Sequence, residues 1–123
     1  YQHTPPQGKL IGVTRGRILD VAVDIRPSSP TYGRHEAVEL SDENAKLLWM
    51  PPGFAHGFCV LGDEPADVLY KVTEVYNPAG EGGIRHDDPA LGIAWPLASP
   101  TLSARDLALP GWKEYQGNPV YWR

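Results

Sequence analysis

An all-β fold, a sandwich or jelly roll of roughly six to eight short strands, is what this sequence predicts, and three observations predict it. Apolar and polar residues alternate, most clearly in ILDVAVDI at Ile18–Ile25, and a period of two is the mark of a half-buried strand. Such runs are short and evenly spaced, which favours a sandwich or barrel over βαβ units. Thirteen glycines and thirteen prolines in 123 residues impose frequent turns and work against long helices. That length suits one domain, and its core is large enough to fold without staples.

The elements follow in order. Lys9–Thr14 (KLIGVT) is an apolar-rich strand, and Arg15-Gly16-Arg17 a turn centred on glycine. Ile18–Ile25 turns Leu19, Val21, Val23 and Ile25 to one side and Asp20, Ala22 and Asp24 to the other; with the preceding strand it reads as a hairpin. PSSPTYG at Pro27–Gly33 is a loop, and His35–Leu40 a weakly alternating edge strand. Ser41 followed by Asn44 has the spacing of a helix start, good for about one turn. Leu47–Met50 is a strand stopped by Pro51-Pro52; Phe58–Leu61 and Val68–Val75 are two more, joined by a polar turn. NPAGEGG at Asn77–Gly83 is a loop, Asp88–Leu91 a helical turn, and LSARDL at Leu102–Leu107 a helix start capped by Ser103. Residues 111–123 read as an irregular aromatic tail, and 1–123 as a single domain.

The bulk properties narrow the function. Net charge is −4, with acids and bases mixed along the chain and no basic cluster to offer a phosphate footprint, so nucleic acid is not the expected partner. No apolar run approaches the roughly 20 residues of a membrane helix, so no membrane partner is expected. Cys59 is the only cysteine, so no intrachain disulfide forms; this fits a reducing interior and an expected cytoplasmic location. In its apolar run Cys59 reads as a buried small hydrophobe rather than a nucleophile.

Pro51–His56 (PPGFAH) fits P-x-G-x-x-H, a signature turn of the cupin superfamily. The prolines stop one strand, glycine permits the turn, and His56 opens the next strand pointing into the barrel mouth. The four histidines, His3, His35, His56 and His86, are far apart with no H-x-H, and one imidazole does not hold a metal, so none is expected. The resemblance then sharpens. QGKL (7–10), DVAVDIR (20–26), SPTYG (29–33), LSDEN (40–44), PPGFAHGF (51–58), LYK (69–71), GIRHDDPALGIAWP (83–96) and LSARD (102–106) occur in this order. Together they resemble the dTDP-4-dehydrorhamnose 3,5-epimerase family of metal-free cupins, from Tyr1 to about Pro110.

The resemblance implies a cupin-type double-stranded β-helix (jelly roll) with short helical turns. It also implies proton chemistry beside the ketone of a nucleotide-linked 4-keto-6-deoxy sugar. A base removes the proton next to the C4 carbonyl, and an acid returns one to the opposite face, inverting C3 and C5. The ketone is the electron sink, so no cofactor is implied. Lys9 would stabilise the enolate oxygen. Tyr70 would be the acid, with a cation such as Lys9 favouring its phenolate. His56 would hold the sugar or its carbonyl, and Asp106 would pair with the base histidine. Gln2, Tyr76, Glu81 and Arg105 fall on substrate-binding positions, Arg105 for the diphosphate. Asp20 is read as an inward-facing partner for Lys9.

The family's base is a histidine in G-L-H that would stand immediately before Tyr1, so an N-terminal piece carrying it and the upstream strands is expected to be missing. His3 would point outward by strand alternation and could not replace it. The chain as given is therefore expected to bind weakly and not to epimerise, and a homodimer is implied for the full-length protein. His86 stands where tryptophan is common and Val75 where tyrosine is frequent; both bear on sugar preference and on how many centres invert. A single-centre epimerase or ketoisomerase, and a non-catalytic sugar-nucleotide-binding cupin, are the alternatives.

Overall fold

A computed structural model describes residues 1–121. Its strands are β1 (Lys9–Arg15), β2 (Arg17–Asp24), β3 (His35–Ser41), β4 (Leu48–Met50), β5 (Phe54–Val60) and β6 (Asp67–Val72). A 3-10 turn at Pro78–Gly80 and two short helices, α1 (Ala104–Leu107) and α2 (Trp112–Gly117), follow. The strands form two antiparallel three-stranded sheets, in the orders β4-β1-β6 and β3-β2-β5.

β1 and β2 do not form the expected hairpin, because they lie in different sheets. Gly16, at φ 76°, turns the chain from one sheet into the other. The apolar residues of the two strands explain this. Ile11 and Val13 of β1 pack with Ile18 and Ala22 of β2, together with Leu40 and Met50, in the core between the sheets. Facing one another across a sandwich buries those side chains, whereas lying side by side would not. Ile11, Ile18 and Leu40 are fully buried; each stabilises the fold by about 1.5–3 kcal/mol.

The other face of β2 is also covered. Val21, Val23 and Ile25 pack against Leu91, Trp112 and Tyr115, so the C-terminal segment makes a second core on the outside of the β3-β2-β5 sheet. The irregular tail expected there is corrected in part: Trp112–Gly117 is helical. Trp112 stacks on Tyr115 at 5.5 Å between ring centres, and the Tyr115 hydroxyl donates to the Ile25 carbonyl at 2.6 Å. Asp88 Oδ2 accepts from the Trp112 backbone N–H at 2.8 Å and fixes the entry to α2.

Local chemistry sets the loops. Asp24, buried at the end of β2, accepts from Arg26 Nε and Nη2 at 2.9 and 2.8 Å, from Thr31 at 2.6 Å and from Ser29 at 2.5 Å. That explains DIR and SPTYG as one folding unit. The Arg26 guanidinium in turn lies 4.7 Å from the centre of the Phe54 ring, and its stem fills the space where a Cβ on Gly53 (φ 95°) would stand. The helix start expected at Ser41 is a turn instead. The Ser41 hydroxyl and Asn44 carbonyl bond each other's backbone N–H reciprocally, and Ala45 at φ 50° ends it. Ser103 caps α1 as expected, accepting from Asp106 N–H at 3.1 Å.

Candidate active site

Strand alternation places the site. Lys9 pairs with Val72 and Ile11 with Tyr70, so Lys9 and Tyr70 share the inward face of the β4-β1-β6 sheet as diagonal neighbours. Diagonal neighbours of this kind lie about 7–8 Å apart, their Cβ atoms somewhat closer. On the opposing sheet Ala22 pairs with His56 and Asp20 with Phe58, which sets His56 and Asp20 on one face, also inward. β5 begins at Phe54, so His56 is its third residue rather than its first as expected.

The His56 ring stands edge-on to Tyr70, 5.7 Å between centres, and its Nε2 lies 2.5 Å from Asp20 Oδ1. Asp20 is fully buried and its Oδ2 has no partner among the described residues. Asp20 was expected to face Lys9; the structure pairs it with His56 instead. A two-residue offset on adjacent strands brings the carboxylate to the imidazole. Glu81 is the carboxylate whose charge acts on Lys9. Burial lowers the Lys9 ammonium from its ordinary range while Glu81 opposes the shift.

Tyr70 also departs from expectation. Burial, then the Asp20 carboxylate, push its phenol up to about 12, so it is held protonated rather than as the phenolate expected beside Lys9. A protonated phenol is the form an acid needs.

Two adjoining hollows hold these groups. The larger, about 710 Å³, is lined by Tyr70, His56 and Asp106, with Ile84, Ile93 and Trp95 among its apolar walls. The smaller, about 210 Å³, is lined by Lys9, His56, Asp106, Glu81 and Arg105. His56 and Asp106 border both. Asp106 sits on α1, exposed, and its carboxylate makes no hydrogen bond among the described residues. At the rim, Glu81 Oε2 accepts from Tyr76 Oη at 3.1 Å and forms an ion pair with Arg105 Nη2, also at 3.1 Å. Arg105 is thus tied to a carboxylate, and Tyr76 reaches the site through Glu81.

Gln2 stands apart from its expected substrate-binding role. It is buried; its Nε2 donates to Pro5 and Val75 carbonyls at 3.0 and 3.1 Å, and its Oε1 accepts from Asn77 N–H at 2.8 Å. No side-chain donor is left for a ligand. It ties the first residues to the loop after β6 because a buried amide needs partners. Cys59, expected buried, is half-buried and lines the larger hollow, where burial raises its thiol. His86 reaches the same cleft, its carbonyl accepting from Trp95 Nε1 at 2.8 Å, whereas Val75 is exposed. Among the described residues no three His, Cys, Asp or Glu side chains converge as a metal-ligand set. No helix there is long and apolar enough to cross a membrane.

Comparison with known proteins follows this geometry. Residues 1–114 match the family model described as dTDP-4-dehydrorhamnose 3,5-epimerase. The dTDP-4-dehydrorhamnose 3,5-epimerase of Methanothermobacter thermautotrophicus is 49% identical over 124 residues, covering 98% of this chain and 65% of that protein. The Neisseria gonorrhoeae protein of the same name is 51% identical over 115 residues, covering 93% of this chain and 35% of that one. Among solved structures, the dTDP-6-deoxy-D-glucose-3,5-epimerase of Legionella pneumophila, in complex with dTDP-4-keto-L-rhamnose, superposes with a TM-score of 0.92 at 44% identity. It covers all of this chain and 65% of that one. ChmJ, a 3'-monoepimerase from Streptomyces bikiniensis, superposes at 0.87 with 36% identity, over 95% of this chain and 59% of that one. This chain therefore spans between about a third and two thirds of the length of these relatives. The two sheets are a cupin-type jelly roll, as expected from the sequence.

Proposed function

The chain belongs to the dTDP-4-dehydrorhamnose 3,5-epimerase family, and from that premise we propose that the protein carrying it epimerises a dTDP-linked 4-keto-6-deoxy sugar at C3 and C5. The observation that carries this reading is the convergence of an ammonium, Lys9, and a protonated phenol, Tyr70, on one inward sheet face beside His56. A carbon acid next to a ketone needs its enolate oxygen stabilised and a proton donor on the face opposite the base. Lys9 takes the first task and Tyr70 the second. The ketone accepts the electron pair, so the proposed reaction calls for no cofactor.

The base in this reading is the family's histidine, at the position immediately before Tyr1. Asp106 is its carboxylate partner, free of other hydrogen bonds among the described residues and open to both hollows. Glu81, held by Tyr76 and Arg105, forms the polar rim that would meet the diphosphate side of the ligand. The apolar walls around Trp95 suit the rest of a nucleotide-linked sugar.

Incubating the natural protein with dTDP-4-keto-6-deoxyglucose in deuterium oxide and following C3 and C5 by NMR tests the proposal. Deuterium at both carbons with inversion supports it. Deuterium at C3 alone moves the reading to a one-centre epimerase, the activity named for ChmJ; binding without exchange leaves a sugar-nucleotide-binding module. A cytoplasmic homodimer completes the proposal. The outer face of β4-β1-β6 exposes Trp49 and Leu69 with Leu47 beside them, and an apolar face of that kind suits a second copy. Sedimentation of the natural protein as a monomer would remove the dimer.

A further inference from the structure

Asp20 is the most deeply buried charge-bearing side chain of the interior, yet it belongs to neither of the hollows. It reaches the site only through His56, whose Nε2 it meets at 2.5 Å. Its other oxygen is buried and unpartnered among the described residues. A buried carboxylate with one donor is costly, and it persists where that one hydrogen bond has a purpose. As an acceptor-only group, Asp20 commits the Nε2–H of His56 to itself. Nδ1 has no partner among the described residues and is the ring atom left for the cleft.

We propose that Asp20 is the positioning residue of the site: it locks the His56 ring through Nε2 and aims Nδ1 at the bound sugar. This rests on the epimerase reading for its ligand and deepens it. The negative charge of Asp20 adds to burial in pushing the Tyr70 phenol up to about 12. The titratable groups that share Tyr70's cleft or its interior face are Lys9, Asp20, Asp24, Glu36, His56, Cys59, Arg85, His86 and Asp106. Of these, Asp20 is the one that acts on the phenol in addition to burial.

The test uses the natural protein. Proton NMR of the unliganded wild type should show a strongly downfield imidazole proton, assigned by its loss in His56→Gln. In Asp20→Asn that proton should move upfield, and Tyr70 should titrate at lower pH, carrying the alkaline limb of kcat with it. The fall in kcat should be roughly tenfold to a hundredfold, the range known for carboxylates that orient a metal-bound imidazole, with KM changed far less. Asp24→Asn is the control: it alters a buried carboxylate on the same strand and face that bonds only the 26–31 loop. It should lower the melting temperature and leave the downfield proton and the alkaline limb in place. A wild type without the downfield proton, or an Asp20→Asn protein with unchanged kcat and alkaline limb, overturns the proposal. Should Asp20→Asn fail to fold, the wild-type resonance alone decides it. A wild type that shows the resonance but exchanges no deuterium into the sugar refutes the epimerase reading and leaves the Asp20–His56 lock standing.

Discussion

Replacing Lys9 by methionine removes the charge that the proposed mechanism uses while keeping an unbranched stem on β1. The size of the loss can be worked from the surroundings. Lys9 lines a hollow and is partly desolvated, and Glu81, the carboxylate whose charge acts on it, is already engaged by Arg105 and Tyr76. An ammonium about 4 Å from an enolate oxygen interacts by about 4 kcal/mol at the effective dielectric of a partly buried site. In the ketone ground state the oxygen carries only a partial charge, so most of that stabilisation belongs to the transition state and should appear in kcat. At 1.36 kcal/mol per decade the expected loss is about 10²–10³-fold, the range seen when one oxyanion donor is removed elsewhere. Deuterium exchange at C3 and C5 measures it, and Lys9→Arg should recover part of the rate by restoring the charge with altered geometry. A methionine variant that turns over within about threefold of wild type would refute the assignment.

Other outcomes are expected. Tyr70→Phe should abolish inversion while sugar-nucleotide binding, measured by calorimetry, stays largely intact; wild-type turnover would remove Tyr70 as the acid. Hydrogen bonds from Arg26, Ser29 and Thr31 hold the Asp24 carboxyl well below the usual carboxylate range, outweighing the opposing effect of burial. Its stabilisation is therefore fully present above the unfolded carboxyl pKa of about 4 and is lost as pH falls toward the folded value. Asp24→Ala should cost about 3 kcal/mol at neutral pH, with the gap to wild type closing in acid, as read by urea unfolding at several pH values. Trp112→Ala should cost about 3–5 kcal/mol in the same assay, since the ring is buried between Tyr32 and Tyr115.

The motifs made much of the site legible. QGKL, PPGFAH and LYK named Lys9, His56 and Tyr70, and period-two alternation fixed which way each points once the strands were paired. The rim was legible only as a set of residues. Nothing in Tyr76, Glu81 or Arg105 taken singly says that one carboxylate oxygen accepts from the tyrosine and pairs with the guanidinium. Gln2 reads in the sequence as a ligand donor, and in the fold its amide is engaged by backbone groups. Of the three backbone groups that its amide satisfies, one is the nearby Pro5 carbonyl and two belong to a loop 73 to 75 residues away. α2 was missed because a six-residue helix has too few turns to show a period, and its stability comes from packing rather than propensity.

The sequence by itself determined the class of fold, the strand positions to within a few residues, and the residue types proposed for proton chemistry, because alternation, turn residues and short motifs are local. Which strands pair is not local. Tertiary structure split the expected β1–β2 hairpin between two sheets, since the apolar faces of both strands are buried by facing each other. The same choice decided the fate of Asp20. In sequence it is an acid on the less apolar side of a strand; in the fold that side looks into the interior, and His56, 36 residues away, is the group that meets it.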